Sequence, residues 1–175
     1  MQVARLRWLL ARGARLELKD WTGRTALHWA SQEGRAETAR ELLLQGSALE
    51  AATFAAVAGR QSPLLIASRE GHLEIVRELR SRRGSTPLFA AIKQGHLEVV
   101  RELLTRGAAV DSADKGGRTP LHIASEWGHA QVVRELLARG AAVDAANEDG
   151  WTPLHGASVK ATWRLSGSCL RGAPR

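Results

Sequence analysis

The chain has 175 residues and a mass of 19.0 kDa, 44% of them hydrophobic and 25% charged, which excludes a wholly disordered chain and a disulfide-stapled miniprotein. Its net charge of +7 sits at the ends: residues 1–15 and 160–175 carry four basic residues each and no acid, while 16–159 holds 17 basic against 18 acidic residues. Nucleic-acid binding through a basic groove is therefore disfavoured, no apolar run approaches the ~20 residues of a membrane span, and Cys169 has no disulfide partner within the chain.

Arg5, Arg7 and Arg12 interrupt any apolar stretch near the start, so no secretory leader is expected. With a single cysteine the expected setting is reducing and intracellular, cytoplasmic or nuclear. From residue 3 the chain reads Val-Ala-Arg-Leu-Arg-Trp-Leu-Leu-Ala-Arg-Gly-Ala-Arg, in phase with Val-Val-Arg-Glu-Leu-Leu-Ala-Arg-Gly-Ala-Ala at 132–142. The first predicted element is thus a helix that recurs later. A second motif follows in five copies: Gly-Arg-Thr-Ala-Leu-His-Trp-Ala-Ser (23–31), Ser-Pro-Leu-Leu-Ile-Ala-Ser (62–68), Thr-Pro-Leu-Phe-Ala-Ala (86–91), Gly-Arg-Thr-Pro-Leu-His-Ile-Ala-Ser (117–125) and Gly-Trp-Thr-Pro-Leu-His-Gly-Ala-Ser (150–158). Nine residues past the leading hydroxyl residue stands Gly34, Gly71, Gly95 or Gly128, with Ala161 breaking step, and seventeen past it Leu42, Leu79, Leu103 or Leu136.

One copy explains the local physics. Thr119 is a good N-cap, and Pro120 at N1 gives up an amide that would lack a partner anyway. Leu121, Ala124 and Ser125 share one helix face, and Gly128 supplies a backbone that can end the helix. A second helix from about His129 to Ala138 puts Val132, Val133, Leu136 and Leu137 on one stripe, closed by Gly140. Glu37/Arg40, Glu74/Arg77 and Glu98/Arg101 at i, i+3, and Glu78/Arg82, Glu102/Arg106 and Glu135/Arg139 at i, i+4, mark a solvated face and add only about 0.2–0.5 kcal/mol each. The stretch 108–117 is too polar and glycine-rich for helix and suits a projecting turn. Two such short helices cannot bury both faces alone, so units must stack.

These offsets and the Thr-Pro-Leu-His signature resemble the ankyrin repeat over about residues 3–159. The resemblance implies an all-α repeat solenoid of stacked helix-turn-helix ankyrin repeats with short β-hairpin fingers and no central pocket. It divides the chain into a partial repeat at 1–19, repeats at 20–52, 53–84, 85–112 and 113–145, a truncated repeat at 146–160 and an irregular basic tail at 161–175. Intervals of 37 and 24 residues between signature hydroxyls, against 33 elsewhere, give a lengthened finger at 47–61 and a missing one near 80–86. Arg80 then stands where other copies carry leucine, which predicts fraying or escape to solvent and a weak seam at 80–86. Both array ends are uncapped and should expose Leu6, Leu9 and Leu10, which leaves room for self-association or a longer array.

No catalytic constellation, cofactor motif or metal set is identifiable. His28, His122 and His155, which the family uses as bridges between repeats, recur at repeat spacing together with His72, His96 and His129 and do not surround one point. Cys169 has no base beside it, Gly116-Gly117 lacks phosphate-loop spacing, and Arg80-Ser81-Arg82-Arg83 reads as a solvated helix end. The family's variable contact positions fall on Trp21, Thr22, Arg24, Gln32, Glu33, Arg69, Glu70, Lys93, Gln94, Lys115, Arg118, Glu126, Trp127, Glu148, Asp149 and Trp151, where Trp and Arg are natural anchors. Trp29 is expected at the seam between repeats and Trp8 in the core or on the end face. The function implied is a non-enzymatic scaffold or adaptor whose finger tips and inner helices hold another protein. The alternatives are an electrostatic binder of nucleic acid or an anionic surface through the basic ends, and a regulatory fragment of a larger enzyme or channel.

Overall fold

A computed structural model describes residues 2–47, 62–79 and 85–159. They form α1 (Gln2–Ala11), α2 (Ala26–Gln32), α3 (Ala36–Leu44), α4 (Pro63–Glu70), α5 (Leu73–Glu78), α6 (Ser85–Gln94), α7 (Leu97–Thr105), α8 (Pro120–Trp127), α9 (Ala130–Ala138) and α10 (153–159). Pairs α2/α3, α4/α5, α6/α7 and α8/α9 pack as units. The units stack in two rows, α2–α4–α6–α8 and α1–α3–α5–α7–α9, so each helix touches its partner and its neighbours in the row. The core is continuous between the rows. Leu27, Leu64, Leu88 and Leu121 from the first, and Leu42, Leu79, Leu103 and Leu136 from the second, are all buried, each contributing about 1.5–3 kcal/mol of burial.

The signature folds as its chemistry requires. Thr25 and Thr119 have extended backbones and form reciprocal caps: the threonine side chain faces the amide of the histidine three residues on, and that ring's Nδ1 accepts from the threonine N–H at 3.1 Å. With Nδ1 accepting, Nε2 carries the proton, and on His122 it donates to the carbonyl of Trp151 in the next finger at 2.9 Å. A second staple points the other way. Nε2 of His72, His96 and His129 bonds the carbonyls of Gln32, Arg69 and Lys93, at or next to the C-terminal residue of the preceding unit's first helix, at 3.1, 2.9 and 3.1 Å. Those carbonyls have no partner within their own helix.

The back of the second row carries an ion ladder. Arg7 reaches Glu41 at 2.8 Å, Arg40 Glu78 at 3.0 Å, Arg77 Glu102 at 3.4 Å and Arg101 Glu135 at 2.8 Å. The expected pairs Glu74/Arg77, Glu98/Arg101, Glu102/Arg106 and Glu135/Arg139 form as well. Arg40 instead turns from Glu37 to the next unit, and Arg82 of the Glu78/Arg82 pair lies outside the described residues.

Several expectations need correction. The fingers are tight turns and not hairpins with a ladder: no strand occurs among the described residues, and each tip is closed by two backbone bonds, Asp20, Asp114 and Asn147 donating to the carbonyls of Arg24, Arg118 and Trp151 and accepting from the amides of Gly23, Gly117 and Gly150. Of the three leucines expected to be exposed, Leu6 packs on the core and Leu10 is half-buried, whereas Leu9 is 50% exposed. α6 begins at Ser85, before the signature Thr86. α5 is three residues shorter than α3, α7 and α9, yet Leu79 beyond it stays buried. Arg106 explains this, its guanidinium donating to the carbonyls of Val76, Arg77 and Leu79 at 2.6, 2.9 and 3.1 Å. The predicted seam at Arg80, the long finger beyond Ser47, Cys169 and the basic tail lie outside the described residues.

Candidate functional site

The first row of helices and the finger tips share one face, and Trp21, Trp29, Trp127 and Trp151 lie there, whereas Trp8 lies on α1 in the second row. Trp21 at the first tip is 96% exposed, and Trp127 and Trp151 are 41% and 47% exposed. Trp29, expected at the seam, lies on this face instead. It is one residue from buried His28, and adjacent helix positions point apart by about 100°. Its indole N–H donates to Asp20 at 2.7 Å and Arg24 lies 5.3 Å above its ring. Asp20 organises the whole tip. The Thr22 hydroxyl at 2.6 Å, then the Arg24 amide at 3.0 Å, hold its carboxyl far below the usual range against the cost of burial, with Trp29 and the Thr22 amide adding to the effect.

Two adjoining hollows open on this face. One, of about 580 Å³, lies between Phe89 and Lys93 of α6, Ile123 of α8, and Asp114, Lys115 and Arg118 of the finger. The other, of about 670 Å³, lies between α8, α10 and the last finger, walled by Trp127, Trp151, Glu126, Asp149, Asn147, Gly156 and Val159. Glu126 and Trp127 belong to both. Lys93 sits 5.1 Å from the Trp127 ring centre, within cation–π range.

The polar groups around the hollows are held in place. Burial pushes the Asp114 carboxyl upward, but the amides of Arg118 and Gly116 and the Arg118 guanidinium outweigh it and leave the group below its ordinary range. Asn147 Oδ1 accepts from the amides of Asp149 at 3.0 Å and Trp151 at 2.8 Å, while His122 holds the Trp151 carbonyl. Trp151 is thus fixed at both ends of its own backbone.

Of the sixteen residues singled out from sequence, Lys93, Lys115, Arg118, Glu126, Trp127, Asp149 and Trp151 line the two hollows. Trp21, Glu33, Gln94 and Glu148 are exposed without lining them. Thr22 and Arg24 serve the first tip, the latter donating to Gln32, and Arg69 pairs with Glu70 at 2.9 Å. Sequence reasoning missed Trp29, Ile123, Asn147 and Gly156. Three of these share a signal, for Trp29, Ile123 and Gly156 each stand four residues past a signature threonine. Among the described residues no cluster of three or more His, Cys, Asp or Glu could hold a metal ion, and no helix is long and apolar enough to cross a membrane.

A family model described as "Ankyrin repeats (3 copies)" matches residues 2–83, 50–114, 64–147 and 111–161. The chain belongs to the ankyrin-repeat family. No curated protein matches it. Ankyrin repeats are, as a class, protein–protein interaction modules, and in this ankyrin array the two hollows occupy the face formed by the first helices and the fingers.

Proposed function

We propose that this ankyrin array is a non-enzymatic adaptor or scaffold that holds another protein along α6, α8, α10 and their finger tips, with Trp127 as central anchor. The observation that carries the reading is the place of Trp127 as the common wall of two adjoining hollows, since a half-exposed Trp between concavities is the usual form of a binding hot spot. Preorganisation supplies the mechanism. The tips are tied by Asp20, Asp114 and Asn147 before any partner arrives, so docking immobilises few side chains. An intracellular setting, cytoplasmic or nuclear, is part of the same proposal and rests on the single cysteine of the sequence.

A random peptide library displayed on phage and panned against the chain tests the reading. Enriched binders should lose about tenfold or more in affinity on Trp127→Ala or Trp151→Ala and keep it on Trp8→Ala. Binders indifferent to both concave substitutions would overturn the proposal. A collapse of affinity between low and physiological salt, with the tryptophans irrelevant, would favour the electrostatic alternative.

A further inference from the structure

The larger hollow differs in charge from the smaller one beside it. Among the described residues its walls carry two carboxylates, Glu126 and Asp149, and no lysine or arginine, in a chain of net charge +7. The smaller hollow beside it has Lys93, Lys115 and Arg118 in its lining. The rest of the larger wall is uncharged or aromatic: Trp127, Trp151, Gly156 and Val159, with His122, Asn147 and Thr152 as its polar members. Gly156 leaves the wall low on this side, where an added Cβ would lie in ordinary contact with Glu126 at 3.5–3.6 Å.

The carboxylates are available. Among the described residues Asp149 makes no side-chain hydrogen bond or ion pair, and Glu126 makes a single ion pair, a long 3.6 Å contact to Arg118. An aromatic wall with carboxylates at its edge favours one ligand chemistry: a cation whose charge meets the acids while its weakly hydrated surface lies on an indole ring. Among the described residues the chain itself stacks cations on indoles in this way, placing Arg12 4.0 Å over Trp8, Arg24 5.3 Å over Trp29 and Lys93 5.1 Å over Trp127. A volume of about 670 Å³ accepts a long side chain with some of its backbone.

We propose that the hollow between α8, α10 and the last finger is a specificity subsite for an arginine or lysine side chain of the partner protein. The proposal rests on the protein-binding reading above and adds the chemistry of one residue of the partner.

The test uses the full chain labelled with ¹⁵N at its tryptophan indoles and the tripeptides acetyl-Ala-Arg-Ala-amide, acetyl-Ala-Lys-Ala-amide, and the same peptide with citrulline or glutamate at its centre. Indole signals of Trp127 and Trp151 should shift saturably with the Arg or Lys peptide. Those of Trp8 and Trp21 should stay still, and citrulline, which keeps the shape and loses the charge, should give no saturable shift. Asp149→Asn, an exposed change that leaves the fold intact, should weaken the Arg peptide roughly two- to fivefold, and Trp151→Phe should retain part of the binding that Trp151→Ala abolishes. Equal shifts with arginine and citrulline, shifts confined to Trp21, or indifference to Asp149→Asn would overturn the subsite. Panned binders that depend on Trp127 but carry no basic residue would sink this proposal and leave the adaptor reading standing; binders indifferent to Trp127 would sink the adaptor reading whatever the tripeptides do.

Discussion

Gly95 and Gly128 hold the same place, nine residues past a signature threonine, and share a left-handed backbone with φ of 77° and 74°. Their neighbours differ. A Cβ on Gly95 would stand 2.7 Å from Nδ1 of His129, whereas one on Gly128 would meet nothing within 4 Å. Alanine strains the backbone at both, by about 1 kcal/mol. At Gly95 it must also displace a ring that bonds the Lys93 carbonyl. Gly95→Ala is therefore expected to lower stability in urea unfolding by about 1–2 kcal/mol more than Gly128→Ala; equal losses would show that the ring moves aside without cost. The candidate site was legible at this scale wherever a large or charged residue stood at a tip or helix end, as with Trp127, Trp151, Glu126 and Arg118. It was illegible where the contribution is a missing side chain, as at Gly156, or a hydrogen bond to a neighbour's backbone, as at Asn147.

Helices were easier to read than the bonds between them. The Thr-Pro-Leu-His caps and the leucine at offset seventeen place α2, α3, α8 and α9 from sequence alone, since caps and burial stripes are local. The ion ladder was missed because an i, i+3 or i, i+4 template looks within one helix, although the signal is there: Arg40-Glu41, Arg77-Glu78, Arg101-Glu102 and Arg134-Glu135 recur at one offset. Arg106 was read only as the partner of Glu102, and its cap on α5 consists of bonds to another unit's backbone carbonyls, which no side-chain pattern records. Replacing it with methionine keeps the stem and removes three bonds to carbonyls. We expect Arg106→Met to cost about 1–3 kcal/mol and to speed amide exchange at the end of α5 more than in α7. If α7 responds first, the cap is not what holds α5. The ladder also sets an acid limit. The Arg7 guanidinium holds the Glu41 carboxyl below its usual range, and Arg101 does the same for Glu135. A carboxyl depressed in the folded state contributes stability above its unfolded pKa and loses it as pH falls through the folded value. The melting temperature should thus hold at neutral pH and fall below about pH 4, with a shallower fall in the Glu41→Gln, Glu135→Gln double variant. An unchanged acid limb would assign the loss to other carboxylates.

Among the described helices the main contacts are within a unit or with the adjoining one, so resistance to opening should follow position along the stack. α6 and α8 are covered by first-row helices on both sides, while α1 and α10 each leave large apolar side chains such as Leu9 and Leu154 in solvent. Native-state hydrogen exchange should find α1 and α10 opening well before α6 and α8; uniform protection from end to end would show coupling beyond nearest neighbours. The histidine staples carry a further consequence. His72, His96 and His129 each join to the unit before by the same bond, so the joints are generic while the walls of the hollows are particular to each unit. Cassettes exchanged among such arrays would bring a new assortment of recognition residues and still fit at their borders, which lets selectivity diversify by recombination with no redesign of the mortar.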